Sequence, residues 1–326
     1  MTRRLRALLG LGIGLLTTLA LPAQREQIVR PQYPRLSQRV NTLIGTDWVG
    51  NVYPGASAPF GMVQLSPDNG RAGWDYIAGY FYPDSTIAGF SHTHLSGTGA
   101  GDLYDISFLP VTLPALDDRL THKPQAGKTG EEQAPIGIHA RFSHATEVAK
   151  AGYYAVTLEP YDIRVELTAT DRVGVQRYTF KKDADSVCII LNLDKAMNWD
   201  SLVNSDADAI SPTQITGFRY SDGWARKQKV YFATKLSRPA ARIERTAIPY
   251  ILSKGQVGKS VGHGVILRLY YNKVRAGESI TLCTALSGVS EAGALKNLQA
   301  EAPHTDFNRY RQAATHRWDK RLAQIR

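Results

Sequence analysis

The chain has 326 residues, of which 43% are hydrophobic and 9% aromatic, so it is long enough to bury a sizeable core. Its formal charge at pH 7 is +10, but no dense Lys/Arg block is interleaved with aromatic residues, and a nucleic-acid-binding surface is therefore not predicted. The sequence also lacks a G-x-S-x-G nucleophile elbow, a P-loop and a dinucleotide fingerprint after a strand, which argues against several common enzyme classes.

The first 23 residues have the pattern of a secretion signal. Three arginines within the first six positions precede an apolar run over 7–20, and Ala20 or Ala23 supplies a small residue for cleavage. The apolar run is too short for a membrane span. We therefore expect a secreted or periplasmic protein without a membrane segment. Loss of the three arginines would leave a charge of +7 on the mature chain.

Residues 40–110 combine glycines, aromatic residues, histidines and carboxylates at high density. Gly97–Gly101 reads GTGAG like a phosphate loop, but no strand-then-helix frame and no following lysine accompany it. His92 and His94 lie two positions apart, so an extended backbone would point both to one face. No third ligand at a recognisable spacing supports zinc. The alternative is a structural pair of hydrogen-bonded histidines.

Two pairs of acids are candidates for chemistry. Asp102 and Asp105 follow the glycine run, and Asp206 and Asp208 flank one alanine. Either pair could act as a general acid and base, or contribute oxygen ligands to calcium. Neighbouring aspartates more often decorate turns or cap helices. We therefore assign neither pair to catalysis or to a metal.

The second half of the chain predicts an antiparallel β-sandwich. Short segments in which apolar and polar residues alternate are separated by turn sequences such as Ser221–Gly223 and Arg275–Gly277. Thr121–Pro135, which precedes them, is predicted to be an exposed loop. The predicted strands are Tyr153–Leu158, Ile163–Ala169, Val173–Phe180, Val187–Leu193, Gln214–Tyr220, Lys229–Leu236, Val265–Tyr271 and Ser279–Leu286.

The two cysteines, Cys188 and Cys283, fall in two of these strand segments. In an oxidising compartment they could form a disulfide, and two buried free thiols are the alternative. Two helices are predicted after the last strand, over Glu291–Ala300 and Thr305–Ile325.

Several blocks of sequence resemble the N-terminal domain of glycoside hydrolase family 92, the calcium-dependent exo-acting α-mannosidases. The family pattern is followed except at Ala151, where proline is usual, and at Gln176, where histidine is usual. The matching blocks, in family order, are Val40-Asn41 with Ile44-Gly45-Thr46, Tyr53-Pro54-Gly55-Ala56, Pro59-Phe60-Gly61-Met62, Gly89 to Gly99 (GFSHTHLSGTG), Phe142-Ser143-His144, Gly152 to Val156 (GYYAV), Glu166 to Thr170 (ELTAT) and Arg172-Val173-Gly174.

The resemblance implies a fold and a division of labour. It implies a mainly β, galactose-mutarotase-like supersandwich over residues 24–303 and the start of a linker helix over 304–326. In the family that helix leads into a catalytic six-hairpin α/α barrel, which would begin about where this sequence reaches Arg326. The barrel supplies the catalytic acid and base and most of the calcium shell. We therefore expect no catalytic residue and no metal ligand in this chain, although the full-length enzyme would need calcium.

The resemblance also implies sugar-binding residues. Trp74 and Asp75 follow Gly73 in a block that looks like the family loop reaching the terminal mannose. An indole offers an apolar platform for a pyranose, and a carboxylate beside it accepts hydroxyl protons. The loop with His92 and His94 looks like part of the rim between the two domains. The alternative for Trp74 is a core tryptophan beside an aspartate turn. Core packing is predicted for the remaining aromatic residues considered, Trp48, Trp199, Trp224, Tyr53, Tyr80 and Tyr82.

The function implied is that of an N-terminal lobe of an inverting exo-α-mannosidase. It would support the barrel and lend residues to binding of mannose-containing glycans during hydrolysis of terminal α-mannosides. Two alternatives stay open. The chain could be a free-standing, lectin-like carbohydrate-binding module without catalysis, or a lobe that only contributes stability to a partner chain.

Overall fold

The computed structural model describes residues 35–113, 137–251 and 261–324. The predicted secretion signal and the loop predicted over Thr121–Pro135 lie outside these ranges. The strands, in chain order, are β1 (Ala56–Ser57), β2 (Gln64–Asp68), β3 (Thr86–Ile87), β4 (Gly89–Ser91), β5 (Ser107–Thr112), β6 (Ala140–Arg141), β7 (Val148–Lys150), β8 (Tyr153–Leu158), β9 (Ile163–Ala169), β10 (Val173–Phe180), β11 (Ala184–Asn192), β12 (Ser201–Ser211), β13 (Gln214–Asp222), β14 (Gln228–Leu236), β15 (Arg242–Ile251), β16 (Val261–Val274) and β17 (Ser279–Ser287).

Two large antiparallel sheets contain most of these strands. The first has seven strands in the order β1-β2-β4-β5-β11-β16-β15, and the second has eight in the order β12-β13-β14-β17-β10-β9-β8-β7. Their inner faces share one apolar core, to which Phe108 and Ile189 contribute from the first sheet and Val165 and Tyr178 from the second. This arrangement confirms the predicted antiparallel sandwich.

The eight-stranded sheet is largely buried on both faces over β8, β9, β10 and β17, whereas its edge strand β12 has several exposed positions. Two helices, α1 (Glu291–Glu301) and α2 (Phe307–Leu322), pack on its outer face through a second apolar cluster that includes Leu298 and Phe307. Ser290 and Asp306 cap their first turns by accepting hydrogen bonds from backbone N–H groups. Because both faces are covered, β8 has no exposed position and reads as a continuous run rather than an alternating one.

Both helices confirm the predicted segments to within a few residues. No helix in the described ranges is long and apolar enough to cross a membrane. Cys188 lies on β11 of one sheet and Cys283 on β17 of the other, and both are buried free thiols. Burial raises the pKa of each thiol to about 12.

Candidate functional site

A short 3₁₀ turn, Trp74–Tyr76, presents the first two predicted sugar-binding residues. The turn starts at Gly73, whose φ of +130° is a conformation that a side chain disfavours. The indole of Trp74 is 56% exposed, and Asp75 is partly exposed beside it. The predicted core alternative for Trp74 is therefore wrong, because the ring lies on the outside of the turn. The carboxylate and the indole are adjacent and both reach solvent.

Trp74 lines a cleft of about 170 Å³. Trp199 also lines this cleft; it is 56% exposed, and its backbone N–H donates a 2.8 Å hydrogen bond to the carbonyl of Gly101. The cleft is lined by Gly73, Trp74, Ile77, Gly101, Asn198 and Trp199. It thus combines two indole rings with loop backbone, a lining suited to the apolar face of a ring-shaped ligand.

The core positions predicted for three tryptophans are wrong. Trp48, Trp199 and Trp224 are 78%, 56% and 61% exposed. Trp199 and Trp224 lie in connections beside strands rather than within them, and Trp48 has a φ of +53° in a turn-rich segment. Tyr80 is buried as predicted, whereas Tyr82 is 37% exposed and stacks on His144.

His92 is buried in the interior rather than at a rim. Its Nδ1 donates a 2.6 Å hydrogen bond to the Ile106 carbonyl, since a carbonyl can only accept. Its Nε2 has no hydrogen-bond partner within the described ranges. Burial lowers the pKa of His92 to about 4, so the ring is neutral at physiological pH. The ring packs so closely on Gly174 that a Cβ there would lie 2.5 Å from His92 Cδ2.

His94 is also buried, in a charged cluster beneath the cleft. Its Nδ1 lies 2.7 Å from the carbonyl of Gln64, and its Nε2 lies 2.8 Å from Asp68 Oδ1. The other Asp68 oxygen accepts a 2.7 Å bond from Lys195 Nζ. Burial raises the pKa of Asp68, but the charge of Lys195 and the close contact with the His94 ring outweigh it and hold the pKa below its usual value. Both histidines thus fit the structural alternative, and neither imidazole faces solvent.

The first acid pair is committed to internal hydrogen bonds. Asp102 accepts bonds from the backbone N–H groups of Leu103, at 2.9 Å, and Ala225, at 2.6 Å. Asp105 accepts bonds from Thr93 Oγ1 at 2.8 Å and Arg219 Nη1 at 2.7 Å. Both carboxylates are buried and face these donors rather than solvent. These residues position loops.

The second acid pair lies on β12, away from the cleft. Asp206 accepts a 2.5 Å bond from Arg245 Nη2, and Asp208 is exposed. Within the described ranges no group of three or more His, Cys, Asp or Glu side chains is arranged to hold a metal ion.

Arg219 is a buried residue that the sequence analysis did not identify. It pairs with Asp105 and Asp200 and donates to the carbonyls of Leu193, at 3.3 Å, and Lys195, at 2.7 Å. Burial raises the pKa of Asp200 to about 6 despite that pairing. The alternation along β13 could have predicted that Arg219 is buried. Ile215 faces the core, and Arg219, four residues later on the same strand, must lie on the same face. A buried arginine needs carboxylate partners, which here come from loops beneath the cleft.

Comparison with known proteins places the chain in a family. A model of the glycosyl hydrolase family 92 N-terminal domain matches residues 39–287. A family 92 α-mannosidase from Bacteroides thetaiotaomicron, solved alone and in complex with mannoimidazole, is similar with a TM-score of 0.75 and 33% identity. The match to the structure solved alone covers 89% of this chain and 38% of the mannosidase chain.

Two further relatives agree with this placement. A family 92 inverting mannosidase from Bacteroides thetaiotaomicron shares the fold with a TM-score of 0.68 at 23% identity, covering 90% of this chain and 37% of that one. An uncharacterized secreted glycosidase from Arthroderma benhamiae is 25% identical over 307 residues, 88% of this chain and 38% of the relative. The chain thus spans less than two fifths of each relative's length. It belongs to glycoside hydrolase family 92, whose N-terminal domain it carries.

Proposed function

We propose that this lobe serves in the hydrolysis of terminal α-mannosides of glycans, by supporting a catalytic α/α barrel and by supplying Trp74 and Asp75 to the mannose site. The observation that carries the proposal is the exposed indole of Trp74 beside the partly exposed Asp75, at the edge of a cleft with a second indole. The family 92 α-mannosidase from Bacteroides thetaiotaomicron, of which this chain covers 37%, was solved in complex with mannoimidazole, and that supports the proposal. Export is part of the proposal, and the relative named a secreted glycosidase supports it.

The size of the cleft favours a shared site over a free-standing lectin. Its volume of about 170 Å³ is smaller than the roughly 300–1,000 Å³ typical of pockets that enclose a ligand. A sugar ring held here would keep much of its surface in water, and the small burial would offset little of the entropy cost of association. The remaining wall and the catalytic carboxyl groups would come from the barrel. His92 and His94 would contribute by holding the strands under the cleft.

Calorimetry with methyl α-mannoside tests this function. We expect weak binding to the chain, with a Kd in the millimolar range or weaker, and at least a tenfold loss in Trp74→Ala because the ring contact disappears. Trp224→Ala is the matched control, since Trp224 is also exposed but does not line the cleft. Equal affinity in Trp74→Ala and wild type would contradict the assignment. Micromolar binding would instead favour the lectin.

A release assay separates the support role from catalysis. The chain alone should release no mannose from α-mannosides, with or without calcium, because Asp102 and Asp105 are engaged in internal hydrogen bonds and Asp75 by itself cannot supply both a general acid and a general base. Calcium-dependent turnover by the chain alone would refute the proposed division of labour.

A further inference from the structure

The side chain of Asn198 holds both ends of the turn that carries Trp74 and Asp75. Its Oδ1 accepts a 2.7 Å hydrogen bond from the backbone N–H of Gly73, immediately before the turn. Its Nδ2 donates a 3.1 Å bond to the carbonyl of Tyr76, the last residue of the turn. One planar amide therefore satisfies a donor and an acceptor on opposite ends of a three-residue segment.

The backbone at Asn198 is adapted to this contact. Its φ is +55°, a left-handed conformation that asparagine tolerates better than most residues. The neighbouring strand connection approaches so closely that a Cβ at Gly101 would lie 2.5 Å from Asn198 Cβ. Asn198 thus lines the cleft in a backbone conformation that costs free energy. Strained backbone conformations of this kind are retained more often at functional sites than in ordinary loops.

Asn198 also connects the turn to the buried frame. Its Nδ2 lies 3.1 Å from the hydroxyl oxygen of Tyr104, and that hydroxyl donates to the carbonyl of Ile77, directly after the turn. Two residues along the chain, Asp200 forms the buried ion pair with Arg219. The amide is therefore attached to the interior, whereas Trp74 and Asp75 face outward.

We propose that Asn198 is the positioning residue of this site: it sets the orientation of Trp74 and Asp75 and thereby controls glycan binding by that pair. It acts through the turn and does not contact the sugar. The glycan-binding half of this inference rests on the proposed function. The orientation half stands on the hydrogen bonds alone.

The test uses Asn198→Gly and Asn198→Asp in the full chain. Glycine adopts the left-handed backbone without strain and removes the side chain with its amide. Aspartate keeps an acceptor for the Gly73 N–H but cannot donate to the Tyr76 carbonyl. Asn297→Ala is the control, because Asn297 also donates to a backbone carbonyl, that of Leu286 at 2.8 Å, but lies on α1.

The readout is the set of indole N–H resonances in a ¹⁵N-tryptophan spectrum, one for each of the five tryptophans. The Trp74 resonance is assigned from Trp74→Phe. We expect it to shift or broaden in Asn198→Gly and to move less in Asn198→Asp. The resonance of Trp318 should not change, since that indole donates a 2.7 Å bond to the Ser57 carbonyl. An unmoved Trp74 resonance in Asn198→Gly would overturn the inference.

Titration with methyl α-mannoside completes the test. Affinity should fall about tenfold in Asn198→Gly, fall less in Asn198→Asp and stay at the wild-type value in Asn297→Ala. Wild-type affinity in Asn198→Gly would overturn the glycan-binding half. If the wild type itself binds no mannoside, the proposed function fails, and the indole spectrum alone then decides whether Asn198 orients the turn.

Discussion

The imidazole of His92 is neutral because burial penalises its charged form and lowers its pKa to about 4. Arg219 and Lys195, which are also buried, keep partners: two carboxylates for the arginine and Asp68 for the lysine. The polar interior thus contains two kinds of group. The His92 ring is uncharged, whereas the charges of Arg219 and Lys195 are each paired with a carboxylate. Removing one partner would leave an uncompensated charge in the interior, a change that costs several kcal/mol.

Acidification should destabilise the fold through His92. The pKa of His92 in the folded state lies below the unfolded value of about 6.5. The contribution of His92 to folding stability is therefore fully present above pH 6.5 and is lost as the pH falls toward 4. Urea unfolding at each pH measures this effect. Between pH 6.5 and pH 4, the free energy of unfolding should fall by up to roughly 3 kcal/mol more in the wild type than in His92→Asn. In that variant the amide can still donate to the Ile106 carbonyl.

His139→Asn is the control for this measurement, at a partly exposed histidine. Between pH 6.5 and pH 4, the free energy of unfolding of this variant should fall as steeply as that of the wild type. If His92→Asn and the wild type lose stability in parallel, the interior position of His92 does not govern the acid response.

Helix α2 packs with α1 on the outer face of the eight-stranded sheet. Its residue Trp318 donates its indole N–H to the Ser57 carbonyl on β1, and its ring lies against Gly152, where φ is +76° and a Cβ would lie 2.8 Å from the ring. Ser37 N–H donates a 2.8 Å bond to Asp319 on the same helix. These contacts tie the helix to the N-terminal part of the described chain.

Loss of the Trp318 hydrogen bond should weaken the docking of α2. Trp318→Phe keeps most of the packing and should lower the free energy of unfolding by about 1 kcal/mol, while leaving the Ser57 carbonyl to water. Trp318→Ala should cost more, because it also removes ring contacts. Trp224→Phe, at an exposed indole, should have little effect in the same denaturation experiment. A larger loss in Trp224→Phe than in Trp318→Phe would be inconsistent with this docking contact.

At the scale of the whole molecule, the two cysteines lie on different sheets and in different apolar clusters. Cys188 belongs to the seven-stranded sheet, whereas Cys283 packs in the cluster between the eight-stranded sheet and the helices. A bond between them would require the layers to move, since disulfide geometry demands Cα atoms within about 7 Å. Both thiols are also protonated at neutral pH, because burial raises their pKa.

We therefore expect two thiols that react only after unfolding. Ellman's reagent should detect none in the native protein and two per chain in guanidinium chloride. The melting temperature should not depend on reducing agent. A fall in the melting temperature on reduction, with no thiols detected in the unfolded oxidised chain, would demonstrate the disulfide alternative.

Particular elements show how far sequence reasoning reaches. Tyr153–Leu158, Ile163–Ala169 and Val173–Phe180 are strands with the predicted bounds, because their apolar positions are dictated by burial between two layers. β12 and β15 were not predicted. Each is the last strand of its sheet, with one neighbour and polar side chains over much of its length, so its sequence carries little apolar pattern.

The sequence by itself determined the family and the antiparallel sandwich, because periodicity and local motifs are properties of neighbouring residues. It also singled out Trp74 and Asp75 through a resemblance, but it left the exposure of Trp74 open. Only the tertiary structure decided that His92 and His94 lie inside, that Trp199 and Trp74 line one cleft, and that Asn198 holds the turn. These facts depend on contacts between segments up to 125 residues apart, such as Gly73 and Asn198. Burial, and with it the charge state and accessibility of each polar group, is set by that packing.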